Sequence, residues 1–154
     1  MSPQVWIAVV IGAAASIEDV LRHRISNWIP AAAFGAGLLY HVLGQGWRGA
    51  LYALGGAACG LAVFLIFYLL GGMGGGDIKL MAGFGALLGA GRLLEAALWT
   101  AACGGLMAAG WIAVSAIRRK HAGLSNGAPA NTVDSIPYAP AIAAGVWLSL
   151  VPKG

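Results

Sequence analysis

The sequence predicts an all-α, polytopic membrane protein of about six transmembrane helices, because apolar residues dominate it and charged residues are scarce. Hydrophobic residues make up 60% of the 154 positions and charged residues 9%, against about 25% in an average soluble domain. So few charges cannot cover the surface of a water-soluble protein of this size. Six spans of about 20 residues use roughly 120 positions. We therefore expect one transmembrane domain over residues 1–154, embedded in a lipid bilayer, without a separate soluble domain.

The candidate spans are apolar stretches without Asp, Glu, Lys or Arg. They cover residues 1–17, 25–47, 49–76, 80–91, 96–117 and 135–152. All but the fourth are long enough, or nearly so, for a membrane helix of about 20 residues. Because the fourth is short and rich in glycine, we expect it to extend through Leu93 and Leu94.

The distribution of positive residues favours six crossings over five. With six crossings and the N-terminus outside the cytoplasm, one face receives six Lys or Arg residues and the other receives three. The six are Arg22, Arg24, Lys79, Arg118, Arg119 and Lys120, and the three are Arg48, Arg92 and Lys153. Without the fourth crossing the split is five against four. Since Lys and Arg accumulate on cytoplasmic flanks, the first arrangement fits better, and it makes residues 118–135 a cytoplasmic loop.

The remaining composition argues against several kinds of partner. The net charge is +4, but the positive residues lie at the ends of apolar runs, where they determine topology rather than bind nucleic acid. Two cysteines and three histidines are scattered along the chain, whereas a structural zinc site needs four clustered ligands. We expect no metal, no cofactor and no nucleic-acid partner.

Two acidic residues fall at the same predicted membrane face, although 58 positions separate them. Asp19 ends the first span and Asp77 follows the third, so both lie on the cytoplasmic side. If their carboxyl groups meet, the pair holds one proton, because two adjacent carboxylates do not readily both ionise. One member can then accept a proton from a water that attacks a peptide carbonyl, while the other hydrogen-bonds to the carbonyl oxygen. For Asp19 alone, a salt bridge to Arg22 is the alternative.

Glycine surrounds the second aspartate. Five of the six residues over 71–76 are glycine. Backbone without a Cβ allows a substrate chain to approach closely, so we expect Gly74, Gly75 and Gly76 to form an active-site loop around Asp77. A flexible hinge between two helices is the alternative. A phosphate-binding loop fits poorly, because the Gly-Lys-Ser/Thr ending is missing.

Three segments resemble the prepilin leader peptidases, the membrane aspartic proteases of type IV pilus and archaellum systems. GGGDIKL at 74–80 is similar to their Gly-x-Gly-Asp signature. DVLRHRISN at 19–27 is similar to their first-aspartate motif, with Ser26 where proline is common, and IPYAPAIAAG at 136–145 resembles their last-span signature. The resemblance therefore covers nearly the whole chain.

The resemblance implies an aspartic endopeptidase with Asp19 and Asp77 as its catalytic pair and with no cofactor. Such enzymes cleave the short basic leader from pilin-like precursors at the cytoplasmic face of the inner membrane, just before the precursor's apolar helix. Arg22, Asn27 and Lys79 match motif positions, where they either orient the carboxylates or substrate or anchor helix ends. The chain lacks the cysteine tetrad of longer members, so the resemblance favours the peptidase-only form of tight-adherence (Flp) pili over the archaeal preflagellin peptidases.

Two other functions remain open on the residues alone. In a small proton- or cation-coupled transporter the same acids would bind the ion, although transporter sites usually lie near the bilayer midplane. Small residues at four-residue spacing, such as Gly56 and Gly60 or Gly85 and Gly89, indicate close helix packing whatever the function. A non-enzymatic pilus-assembly subunit would be held together by such packing. It would leave the two aspartate motifs without a role.

Overall fold

The computed structural model describes residues 2–69, 73–121 and 138–151. These ranges contain five α-helices: α1 (Pro3–Arg22), α2 (Trp28–Gln45), α3 (Trp47–Leu69), α4 (Gly75–His121) and α5 (Ala139–Ser149). No strand occurs in them, which confirms the all-α class. Because α4 continues through His121, the loop predicted at 118–135 begins later than expected, and its remaining residues, 122–135, lie outside the described ranges.

Within the described ranges, three helical stretches are long and apolar enough, by length and composition, to cross a membrane: Pro3–Arg22, Trp47–Leu69 and Gly75–Val114. Large apolar side chains also face outward from the bundle, and Leu21, Leu43 and Leu106 are each more than 70% exposed. An exposed apolar surface spread over several helices is unstable in water but is suited to lipid. The structure therefore confirms a polytopic membrane protein.

The long helix α4 is broken at Gly89, where φ is 75° and ψ is 166°. This backbone conformation is essentially restricted to glycine. The break divides α4 into a first segment, residues 75–88, and a second segment, residues 90–121. A Cβ at Gly89 would also collide with the ring of Tyr52, so both backbone and packing require glycine here.

The two segments of α4 run in opposite directions. Near the break, Leu87 accepts a hydrogen bond from Gln4 at the beginning of α1. Further along, Gly104 lies against Tyr138, and the next residue, Ala139, is bonded to Asp19 near the end of α1. The second segment therefore returns to the end of the bundle from which the first segment started, which we call the aspartate end. With this hairpin, six helical segments alternate between the two ends.

The predicted extension of the fourth span through Leu93 and Leu94 is wrong. The span ends at Gly89, and Leu93 is buried on the second segment of α4. The charge-free run continues past the true end, so a backbone conformation rather than a charge determines where the span stops. The first segment is only about 21 Å long at about 1.5 Å per residue, against a hydrocarbon core of about 30 Å.

A short span is tolerated here because protein rather than lipid surrounds it. Many of the largest fully buried side chains of the described residues belong to the first segment: Leu80, Met81, Phe84, Leu87 and Leu88. Its contacts with α3 are made through glycine, since a Cβ on Gly60 would lie 2.6 Å from the carbonyl oxygen of Met81. Gly56 and Gly85 are in similarly close backbone contact. The glycine-mediated packing predicted for these positions is therefore confirmed.

The hairpin frees a backbone carbonyl that two buried side chains then satisfy. Gln4 Nε2 donates a 2.6 Å hydrogen bond to the Leu87 carbonyl oxygen, and His41 Nε2 lies 3.0 Å from the same oxygen. A carbonyl can only accept, so the proton of the His41 ring lies on Nε2 in this arrangement. Both side chains are 7% exposed. An unpaired carbonyl in an apolar interior is costly, so Gln4 and His41 stabilise the reversal.

Candidate active site

Asp19 lies in the last turn of α1 and is 7% exposed. The helix ends just beyond it at His23, whose φ is 51° and whose backbone N–H donates to the Asp19 carbonyl oxygen at 2.8 Å. The Asp19 side chain turns to another helix, where Oδ2 accepts a 3.0 Å hydrogen bond from the backbone N–H of Ala139. Ala139 begins α5, and the first amides of a helix lack partners within it and carry its positive dipole end. The beginning of α5 is therefore a binding site for this carboxylate.

Asp77 lies in the first turn of α4 and is also 7% exposed. Its Oδ2 accepts a 3.1 Å hydrogen bond from the backbone N–H of Gly74, and its own N–H donates to the Gly74 carbonyl oxygen at 3.1 Å. The side chain of the third helical residue thus reaches back to the residue before the helix, as in a capping box. This local geometry holds the carboxylate against the end of the bundle.

The structure brings the two aspartates together. Their carboxyl groups are close enough for their charges to interact, although one ends α1 and the other begins α4. Each carboxylate also has one oxygen, Oδ2, bonded to a backbone amide. Two buried carboxyl groups, each bound by a backbone amide, thus lie at the same end of the bundle, where their charges interact.

The loop between α1 and α2 packs on the first turn of α4 and joins the two aspartate segments. A Cβ on Gly76 would lie 3.2 Å from the Cβ of Ile25, which is closer than most such contacts. On the exposed edge, Lys79 Nζ donates a 3.0 Å hydrogen bond to Asn27 Oδ1. Asn27 and Lys79 therefore bond to each other across the two motifs.

The predicted loop of three glycines is partly helical, because Gly75 and Gly76 form the beginning of α4 and only Gly74 precedes it. The three glycines also differ in their surroundings. A Cβ on Gly74 would lie 3.3 Å from Asp77 Oδ2, and one on Gly76 would press on Ile25. A Cβ on Gly75 would meet only Tyr68 Cε2, at an ordinary 3.9 Å. The close approach of Asp77 explains glycine at position 74, and that of Ile25 explains glycine at position 76. The contact with Tyr68 does not require glycine at position 75.

Arg22 pairs with Glu18 rather than with Asp19. Its side chain is 74% exposed, and Nη1 lies 3.8 Å from Glu18 Oε1. The salt bridge between Asp19 and Arg22 that the sequence left open is therefore replaced by a pair with Glu18. An exposed pair at this separation contributes little to stability.

Two residues missed by the sequence analysis, Glu18 and Ser26, hold the first-aspartate loop. The Ser26 backbone N–H donates to Glu18 Oε2 at 3.0 Å, and the Ser26 hydroxyl donates to Glu18 Oε1. Proline at position 26 would lack both donors, since it has neither an N–H nor a hydroxyl group. Two features of the sequence could have indicated this contact: Ser26 replaces the common proline, and Glu18 is an acid next to Asp19.

The amide of Ala139 was also missed. A backbone N–H group is present at almost every residue, so the sequence does not show which one will bind a carboxylate. The segment 136–145 resembles a last-span signature, but the resemblance assigned no role to it. Over the described residues, no group of three or more His, Cys, Asp and Glu side chains could hold a metal ion. The reactive groups that the structure places at this end are two carboxyl groups, each bound by a backbone amide.

Comparison with known protein families gives a match. A family model described as the Type IV leader peptidase family matches residues 6–109, about two thirds of the chain. The matched range contains Asp19, Asp77 and the loops around them, and it ends before α5. It confirms the resemblance predicted from the motifs. No curated protein and no solved structure matches the chain.

Proposed function

The chain belongs to the type IV leader peptidase family, and we propose that it is an aspartic endopeptidase that removes the basic leader of type IV pilin-like precursors. Family membership makes it a membrane peptidase that acts on protein substrates. The observation that carries the finer proposal is the buried pair formed by Asp19 and Asp77, whose carboxyl groups interact electrostatically. Both aspartates lie in segments similar to the catalytic motifs of such enzymes.

In the proposed mechanism the carboxyl pair shares one proton. Backbone amides occupy Oδ2 of both aspartates, so the proton and the water are handled by the Oδ1 atoms. The ionised carboxylate accepts a proton from water as the water oxygen bonds to the scissile carbonyl carbon, and the protonated carboxyl group hydrogen-bonds to the carbonyl oxygen. The tetrahedral intermediate then collapses: the carbon–nitrogen bond breaks and a carboxyl proton passes to the leaving amine. The proton belongs to the pair rather than to one residue.

The charge distribution supports a cytoplasmic active site. Arg22, Arg24 and Lys79 lie at the aspartate end, and the second segment of α4 returns to that end with the basic residues 118–120. Arg48 begins α3 at the opposite end, where Arg92 follows the hairpin. Since positive residues accumulate on the cytoplasmic side, we place the aspartate end in the cytoplasm of a cell whose inner membrane holds the protein, with the N-terminus outside.

The transporter alternative is less well supported. Transporter sites lie near the bilayer midplane, often where helices are interrupted. Here Asp19 is in the last turn of α1 and Asp77 in the first turn of α4, so both acids lie at helix ends. The interrupted helix is at Gly89, at the opposite end of the bundle. A non-enzymatic assembly subunit would explain the glycine packing but not two buried carboxyl groups at the same end of the bundle.

The proposal is tested by co-expressing the protein with candidate pilin-like precursors. Processing is followed on gels, and the new N-terminus is identified by mass spectrometry. We expect wild type to release the leader and both Asp19→Asn and Asp77→Asn to leave the precursor intact. Glu95→Gln, a carboxylate change on the second segment of α4, is the matched control and should process normally. Cleavage by either aspartate variant would contradict the paired mechanism.

A further inference from the structure

An open apolar groove of about 560 Å³ lies beside the carboxyl pair. One wall is the half of α3 nearer the aspartate end, including Phe64 and Phe67, and the other is the second segment of α4. The described residues that line it include none with a charged side chain. The groove therefore suits an apolar occupant within the membrane.

One end of the groove adjoins the residues that hold the two aspartates. Met73 lines it, and the next residue, Gly74, donates to Asp77. Tyr138 also lines it, and the residue after it, Ala139, donates to Asp19. An occupant that reaches this end is thus beside the carboxyl pair, so the groove is continuous with the candidate active site.

The α4 wall has the spacing of a helix-packing seam. Its lining residues include Leu94, Leu98, Ala101, Gly105 and Ala108, separated by four, three, four and three positions. This alternation presents one face of a helix to a partner helix, over about 21 Å at about 1.5 Å per residue. The side chains become smaller towards the aspartate end, which allows the partner's backbone to approach closely. The uncharged face and the small residues near the aspartate end suit a closely packed apolar helix.

We propose that this groove binds the apolar helix that follows the cleavage site of the substrate. The helix lies antiparallel to the second segment of α4, with its first residues at the carboxyl pair. A helical occupant satisfies its own backbone groups within the membrane, and an uncharged one matches the groove lining. This proposal rests on the proposed function and adds the surface that selects and aligns the substrate.

Photo-crosslinking tests the groove by binding rather than by catalysis. A photoreactive amino acid is placed at Leu98 in the groove or at Leu106 outside it. These leucines lie on the same helix and are 74% and 76% exposed, which makes them a matched pair. In an Asp77→Asn background that retains substrate, we expect position 98 to capture the apolar helix of a full-length precursor and position 106 not to. Capture of lipid alone at position 98, with the precursor in excess, would overturn the proposal.

A kinetic comparison gives the second readout. Apart from the backbone of its own helix, a Cβ on Gly105, in the groove, or on Gly110, outside it, would meet no atom of the described residues within 4 Å. Gly105→Leu therefore places an apolar side chain in the groove at a position with room for its Cβ, and Gly110→Leu is its control. We expect Gly105→Leu to raise KM for the full-length precursor about tenfold, equivalent to about 1.4 kcal/mol, and Gly110→Leu to leave it unchanged.

The two proposals fail in different ways. If wild type processes no precursor while position 98 still captures the precursor's apolar helix, the peptidase mechanism fails and the groove stands. If wild type processes the precursor and Gly105→Leu has the same KM as Gly110→Leu, the groove proposal fails and the peptidase stands.

Discussion

Asp19 and Ala139 are 120 residues apart in the chain and are joined by a buried 3.0 Å hydrogen bond between a carboxylate oxygen and a backbone amide. The bond links the end of α1 to the beginning of α5, a helix outside the range matched by the family model. Asp19 therefore has a structural role as well as the chemical role proposed for it, and the two can be separated.

We expect Asp19→Asn and Asp19→Ala to lose activity equally but to differ in stability. The asparagine carbonyl oxygen can still accept from Ala139, whereas alanine leaves that buried N–H unpaired, at a cost of about 1–3 kcal/mol. Unfolding in detergent, followed by circular dichroism, should place Asp19→Asn near wild type and Asp19→Ala below it. Equal stability of the two variants would show that the bond to Ala139 contributes nothing.

The glycines before Asp77 should differ in their tolerance of alanine. Gly76→Ala presses a methyl group against Ile25, whereas Gly75→Ala makes only an ordinary contact with Tyr68. A displacement of about 1 Å near reacting groups can reduce the rate about a hundredfold, so we expect Gly76→Ala to lower kcat at least about tenfold. Gly75→Ala should retain wild-type kcat in the precursor-processing assay. A loss at position 75 equal to that at position 76 would indicate that backbone flexibility, rather than space, is required.

Helix alternation explains why the co-location of the aspartates was predictable. Each crossing moves the chain to the other face, so counting charge-free spans placed Asp19 and Asp77 at one end. Glycine spacing similarly predicted the close contact of α3 with α4, because a missing side chain is visible in a sequence. The distance between the two carboxyl groups could not be predicted in this way. Counting spans shows which membrane face a residue lies on, but not where on that face it lies.

The position of the hairpin and the donors to the carboxylates were not predictable in the same way. The fourth charge-free run contains Gly83, Gly85, Gly89 and Gly91, and hydropathy does not show which of them reverses the chain. Packing decides, because Gly89 faces Tyr52 while its neighbours continue the helix. Amides such as those of Gly74 and Ala139 are present at every non-proline residue, so their roles emerge only from the folded chain.

The contact between Glu18 and Ser26 should act on the position of Asp19 without touching substrate. We expect Ser26→Ala to reduce kcat by about two- to fivefold, as for the loss of one hydrogen bond, with KM unchanged, and Ser26→Thr to restore it. Ser16→Ala is the control, since that hydroxyl donates to the Gly12 carbonyl oxygen within its own helix. The double variant Glu18→Gln/Ser26→Ala should be no slower than the slower single variant, because both remove one interaction. Independent, multiplicative losses would contradict this role.

The Leu87 carbonyl oxygen has two side-chain donors, so removing one should have a smaller effect than removing both. Gln4→Met and His41→Phe preserve approximate size, and phenylalanine retains the ring contacts of His41 with Tyr40 and Tyr52. Each single variant leaves the carbonyl one partner, and we expect each to lower the free energy of unfolding by less than about 1 kcal/mol. The double variant leaves the buried oxygen without a side-chain donor and should lose about 1–3 kcal/mol beyond the sum of the single variants.

Chemical unfolding in detergent measures the free energy of unfolding of all three variants, with Gln45→Met, at an exposed position, as the control. Simple additivity of the two single effects would show that the hairpin does not depend on this shared carbonyl.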